Sequence, residues 1–196
     1  MKGRVKWAVG LAVLAAVAAV GTVAMAGGGG KKVSTELTGY EEVPSISTEG
    51  NGTFQARIDR SAEEIRYRLS YSDLEADVLQ AHIHFAQRAV NGAIVAFLCS
   101  NLAGAPPGTP ACPGPREGTV EGVIEPDDVR DTTGVTPPPG GQGIEAGAFD
   151  ELVDAIKAGV TYANVHSMRW PAGEIRGQLD DDRDDDGDDD DDGDDD

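Results

Sequence analysis

Positive charge, cysteine and histidine are all scarce in this chain of 196 residues. Sixteen Lys and Arg residues face 35 Asp and Glu residues, and the formal net charge is −19. Nucleic-acid binding requires a basic face, so this charge balance argues against a nucleic-acid partner. It suits a soluble exported protein, or one that meets cations or basic surfaces.

The chain has only two cysteines, Cys99 and Cys112, with twelve residues between them. In an exported chain such a pair predicts a disulfide that closes a loop, here one rich in Gly and Pro. Two free thiols or a two-cysteine metal site are the alternatives, although the loop itself offers no further metal ligand. No cysteine lies near residues 24–26, which excludes a lipid-anchored lipoprotein.

The N-terminal residues have the layout of a secretory signal peptide. Lys2, Arg4 and Lys6 form a positive region, residues 7–23 are almost entirely apolar, and a small-x-small cleavage site ends at Ala26. We predict cleavage after Ala26, no stable membrane insertion once the signal is removed, and an exported protein in the extracellular space, the periplasm or the cell envelope. An uncleaved anchor helix is the alternative, because the apolar run approaches the roughly 18–20 residues that span a bilayer.

The rest of the chain divides into a flexible spacer at residues 27–32, one folded domain at 33–179 and an acidic tail at 180–196. The tail holds 14 aspartates and no apolar residue, so we predict that it is disordered and collects divalent cations weakly. Its Asp spacing is similar to that of calcium loops. Because it lacks the Glu that closes an EF-hand loop, any calcium binding there is expected to be weak.

Alternating apolar and polar residues predict an all-β fold. In residues 52–59 the side chains of Phe54, Ala56 and Ile58 share one face, and residues 65–71 repeat the alternation after a polar turn. Further strands are predicted at residues 32–38, 78–85, 93–99, 118–124, 161–166 and 174–179. Short strands separated by Gly and Pro are typical of an antiparallel, Greek-key-like β-sandwich or barrel.

One segment has helical spacing instead. Phe149, Leu152, Val153 and Ile156 recur at intervals of three and four residues, and Gly159 stands where a helix would stop. We therefore predict one short helix just before the strand at residues 161–166.

Five short motifs occur in a fixed order along the predicted domain: residues 37–44, 52–54, 81–84, 164–166 and 173–178. In their content and order the chain resembles the CHRD (chordin) domain family, as a bacterial, exported, single-domain member. One departure is Phe85, which stands where the family pattern usually has glycine. The resemblance implies a β-rich fold. The animal proteins that name the family bind growth factors of the bone morphogenetic class, but the resemblance extends to the fold and not to that ligand.

The only three histidines, His82, His84 and His166, lie in two of these motifs. Strand alternation places His82 and His84 side by side, opposite the apolar face of their strand, and gives His166 the same non-core parity. If the two strands are neighbours, the three imidazoles form a ligand set for copper or zinc. The layout is similar to the copper half of the Cu/Zn superoxide dismutase sandwich. The alternative is a structural role, in which the rings bond to strand and loop backbone and hold the sheet edges.

Glu174 and Arg176 are two residues apart on the last predicted strand, so their side chains share a face. Either is a candidate to orient a histidine by bonding the ring nitrogen that does not bind the metal. The alternative is a structural ion pair with a neighbouring strand. No nucleophile motif or phosphate loop is present, so we assign no catalytic residue and consider an enzyme the less favoured class. The sequence favours a binding or structural module for an unknown protein or surface ligand, with a mononuclear copper or zinc protein as the alternative.

Overall fold

The computed structural model describes residues 30–134 and 141–181. Three predicted features lie outside these residues: the signal peptide with its cleavage site, the start of the spacer, and most of the acidic tail, where weak calcium binding is expected. In the described part, no helix has the length and apolarity needed to cross a bilayer.

Nine strands and one α-helix make up the described regular structure, together with two short 3-10 turns at Gly39–Glu41 and Pro126–Asp128. The strands are β1 (Lys31–Thr38), β2 (Asn51–Asp59), β3 (Glu64–Ser72), β4 (Val78–Phe85), β5 (Ala93–Ser100), β6 (Gly118–Ile124), β7 (Thr161–Ser167), β8 (Ile175–Gln178) and β9 (Asp180–Asp181). The helix α1 is Phe149–Lys157. The predicted strands are therefore present, with shifts of one or two residues at some ends.

All strand pairs are antiparallel, and the strand order is β5-β4-β7-β8-β1-β2-β3-β6. The two end strands, β5 and β6, approach each other. The Tyr67 hydroxyl of β3 donates a hydrogen bond to the Leu98 carbonyl of β5 across this gap, at 2.6 Å. The sheet is thus nearly closed and barrel-like, which confirms the predicted all-β antiparallel fold with one short helix.

The core fills the inside of this sheet, to which strands β1 to β8 contribute apolar residues. Helix α1 adds its apolar side, with Phe149, Leu152, Val153 and Ile156 all buried. The helix ends in a Schellman motif, in which the amides of Gly159 and the following residue bond back into the last turn. Gly159 has a φ of +67°, which its missing Cβ allows.

The predicted disulfide between Cys99 and Cys112 is present, with an S–S distance of 2.07 Å. Cys99 lies in β5 and Cys112 in the Gly- and Pro-rich loop that follows. The side chain of Asn101 reinforces the link, because it bonds both the amide and the carbonyl of Cys112 at 3.1 Å. Such a bond persists in an oxidising compartment.

The sheet extends slightly beyond the limits predicted for the domain. Strand β1 begins at Lys31, inside the predicted spacer, and β9 includes Asp180 and Asp181, the first residues of the predicted tail. In β9 the backbone pairs with β1 opposite Val33 and Ser34. Strand pairing uses main-chain groups, so hydrophobic alternation does not reveal an edge strand made of aspartates.

Candidate metal centre

Strands β4 and β7 are neighbours, and this pairing decides where the histidines lie. In the register His84 is opposite Tyr162, His82 is opposite Asn164, and His166 is opposite Gln80. Residues directly opposite each other share a face. All three histidines therefore lie on the outer face of the sheet, as the predicted parity required, while the residues between them face the core.

This outer face is nevertheless buried. The exposed fractions of His82, His84 and His166 are 0%, 8% and 6%. Contacts with three loops, at residues 39–46, 86–92 and 168–173, account for the cover. Moreover, β4 and β7 are interior strands of the sheet, so the expectation that the histidines hold the sheet edges is wrong. Strand order, which alternation does not encode, is the reason.

Loop carbonyls orient two of the rings. Nδ1 of His84 lies 2.9 Å from the Gly92 carbonyl oxygen, and Nδ1 of His166 lies 3.1 Å from that of Pro171. A carbonyl only accepts, so each Nδ1 carries the proton and each Nε2 keeps its lone pair. This is the pattern seen when a second group orients a metal-binding histidine.

The remaining four ring nitrogens have no hydrogen-bond partner among the described residues: Nε2 of His84, Nε2 of His166, and both nitrogens of His82. The Asn164 side chain interacts with His84 and opposes the lowering of its pKa, although Oδ1 of Asn164 forms no hydrogen bond of acceptable geometry in the described part of the chain. Each such buried group costs about 1–3 kcal/mol if nothing satisfies it. So many unsatisfied nitrogens in one cluster call for ordered water, a ligand or an ion.

One nitrogen from each histidine lies within 4.8 Å of the other two. Three nitrogens held about 2.1 Å from one ion in a trigonal arrangement are about 3.6 Å apart. The rings therefore need to close in by about 1 Å to bind. The centroids of the three rings are 5.0–6.3 Å apart.

Burial keeps the rings neutral. Desolvation, together with the two neighbouring imidazoles, lowers the pKa of His82 to about 2. Desolvation likewise lowers the pKa of His84 to about 4 and lowers that of His166. Neutral imidazole is the form that ligates metals, so the cluster offers lone pairs throughout the neutral pH range.

Arg176 reaches the cluster through an aromatic ring. Its guanidinium carbon lies 3.4 Å from the ring centroid of Tyr162, and that ring stacks on His84 at 4.7 Å with an interplanar angle of 2°. The guanidinium also donates to the Val90 carbonyl at 2.9 Å. Arg176 thus fixes Tyr162, and Tyr162 fixes the plane of His84.

Glu174 points elsewhere. Its Oε1 accepts hydrogen bonds from the Thr48 hydroxyl and the Glu75 amide, both at 2.8 Å. Among the described residues neither Glu174 nor Arg176 forms an ion pair, so the structural ion pair considered from the sequence is absent there. The role of either residue in orienting a histidine stays a prediction, and the geometry favours Arg176.

Glu42 is a neighbour of the site that hydrophobic pattern does not reveal. It is 7% exposed, and burial raises the pKa of its carboxyl to about 7. Its Oε1 lies 3.5 Å from Nδ2 of Asn164, the residue opposite His82. A Cβ at Gly173 would come within 2.3 Å of the same oxygen. The presence of Glu42 and Gly173 in the first and last motifs is the only sequence signal that links them.

A comparison with known protein families matches residues 33–179 to the CHRD domain. The chain belongs to the CHRD domain family. This confirms the resemblance drawn from the five motifs, and the match contains all three histidines, both cysteines and Arg176. Comparisons with curated proteins and with solved structures gave no significant match.

Proposed function

We propose that this CHRD domain is an exported metal-binding module in which His82, His84 and His166 hold one copper or zinc ion. One observation carries the proposal: three buried, neutral imidazoles converge while four of their six nitrogens have no hydrogen-bond partner in the described part of the chain. Export is supported by the N-terminal pattern and by the disulfide.

The structural alternative makes a different demand on the rings. Histidines that only support the sheet are expected to satisfy their nitrogens with backbone groups, as most buried polar groups do. Here only Nδ1 of His84 and Nδ1 of His166 do so. Those two bonds leave Nε2 of each ring with a lone pair and no partner in the described part of the chain, which supports a ligand-binding role. Binding of an additional protein or surface ligand by the module is compatible with such a site.

Metal analysis of the full chain tests the proposal. Protein stripped with a chelator and then given Zn(II), Cu(II) or, without oxygen, Cu(I) should retain one ion of at least one of these metals per chain after desalting. The double variant His82→Ala, His84→Ala should lose that ion. Because it has the same acidic tail as the parent, ions bound at the tail do not account for the difference. Gln80→Ala is the matched control, because Gln80 lies on the same face of β4 and contributes no ring nitrogen.

Equal metal retention by the double variant would contradict the proposal, since the ion would then bind elsewhere. Circular dichroism of the metal-free proteins separates the structural role. If the double variant is unfolded while the metal-free parent is folded and binds no metal, the histidines are structural.

A further inference from the structure

The donor set of the site carries no negative charge. Three neutral imidazoles form the group, and no carboxylate or thiolate from residues 30–134 or 141–181 belongs to it. A bound ion therefore keeps its full formal charge. Ions of different charge should bind such a site with different affinity.

Burial makes that difference large. The three side chains are 0–8% exposed, and the cost of moving an ion from water into a low-dielectric interior rises with the square of its charge. A dication thus pays about four times the desolvation cost of a monocation of the same size. Zn(II) in proteins also takes four ligands, and the cluster supplies three.

The surrounding charges point in the same direction. The guanidinium of Arg176 lies behind Tyr162, and its charge disfavours positive charge on His84. Glu42 is the buried acid next to Asn164, and burial raises the pKa of its carboxyl to about 7. Its carboxylate contacts Asn164 at 3.5 Å and is not among the groups that converge at the histidine site.

From the neutral donors, their number and their burial, we infer that this site selects Cu(I) over Cu(II) and Zn(II). The inference rests on the proposed metal site and specifies its ion. Cu(I) has a closed d shell and a single charge, so it accepts three nitrogen ligands without a further anion or water. The site then acts as a holder of reduced copper, and its chemistry differs from that of a centre that activates water on zinc.

Competition titrations of the metal-free full chain test this selectivity. Cu(I) is added anaerobically against bicinchoninate, and Cu(II) and Zn(II) are added against chromophoric chelators of known affinity. We expect one Cu(I) per chain, bound at least about 100-fold more tightly than Cu(II) or Zn(II). A hundredfold preference for Cu(I) over Cu(II) raises the one-electron potential of the bound copper by about 120 mV, at 59 mV per tenfold change.

The acidic tail is a source of background for divalent ions. His84→Gln carries the same tail, so its Cu(II) and Zn(II) binding is subtracted from that of the parent chain. Binding of Zn(II) or Cu(II) at the histidines as tightly as Cu(I) overturns the inference and leaves the proposed metal site intact. Binding of none of the three ions at the histidines overturns both.

Arg176 offers a second test that does not depend on removing a ligand. Arg176→Gln removes the charge behind Tyr162, and Arg176→Lys keeps it. The preference for Cu(I) over Zn(II) should fall in the Gln variant and remain in the Lys variant. An equal preference in both variants would show that the charge of Arg176 does not contribute to the selectivity.

Discussion

Acidification is expected to destabilise the metal-free protein through its buried histidines. In the unfolded chain a histidine has a pKa of about 6.5, whereas the folded values are about 2 for His82 and about 4 for His84. Because the folded pKa values are lowered, their contribution to stability is fully present above the unfolded pKa and is lost as the pH falls below it. Lowering the pH from about 7.5 to about 5.5 therefore lowers the free energy of unfolding by about 1.4 kcal/mol for each ring, or by about 3 kcal/mol for both.

Two other buried groups also make the stability depend on pH. His166, whose pKa is also lowered, adds to the loss. Glu42 opposes this loss, because its pKa of about 7 in the folded protein lies above its ordinary value of 4.5. The folded state therefore binds this proton more tightly than the unfolded chain does, which adds about 2 kcal/mol to the free energy of unfolding over the same pH change. The parent protein should thus show a shallow pH dependence that conceals two larger and opposite contributions.

Two variants separate these contributions. Glu42→Gln removes the compensation, so acidification should cost this variant about 2 kcal/mol more than the parent. His84→Gln removes one histidine with a lowered pKa, so acidification should lower the free energy of unfolding of this variant by about 1.4 kcal/mol less than that of the parent. Urea denaturation followed by circular dichroism at both pH values measures the free energies of unfolding. A Glu42→Gln variant with the same pH dependence as the parent, or a His84 ring that titrates near its ordinary pKa by NMR, would refute this reasoning.

Replacing Cys99 and Cys112 with alanine should lower the free energy of unfolding by about 3 kcal/mol, because the open loop has more freedom in the unfolded chain. Non-reducing mass spectrometry should find the parent two hydrogens lighter than the thiol form, and two alkylatable thiols would contradict the bond. N-terminal sequencing of exported protein should begin at residue 27, while a chain that starts at Met1 and stays with membranes would indicate an anchor. Deleting residues 182–196 should leave the melting temperature nearly unchanged at moderate salt and lower solubility, because the segment has charge but no apolar residue. A large drop in melting temperature would mean that this segment docks on the domain.

The strands and the helix were predictable because their signals are local. Alternation of apolar residues located β2, β3, β4 and β6 to within a residue or two, and Gly159 marked the end of α1. The same period of two placed His82 and His84 on one face and gave His166 the matching parity. The disulfide followed from the count of two cysteines, their spacing and the signal-peptide pattern that indicates export.

Only the tertiary structure decided what these residues do together. Strand β4 lies beside β7, which is about 80 residues further along the chain, and local alternation does not encode strand neighbours. Three loops bury the histidine face, and burial is what makes the rings neutral. The stack of Arg176, Tyr162 and His84, and the approach of Glu42 to Asn164, likewise join segments that are remote in sequence. Sequence by itself determined the residue types and the face on which they lie, while long-range packing determined their convergence and their protonation.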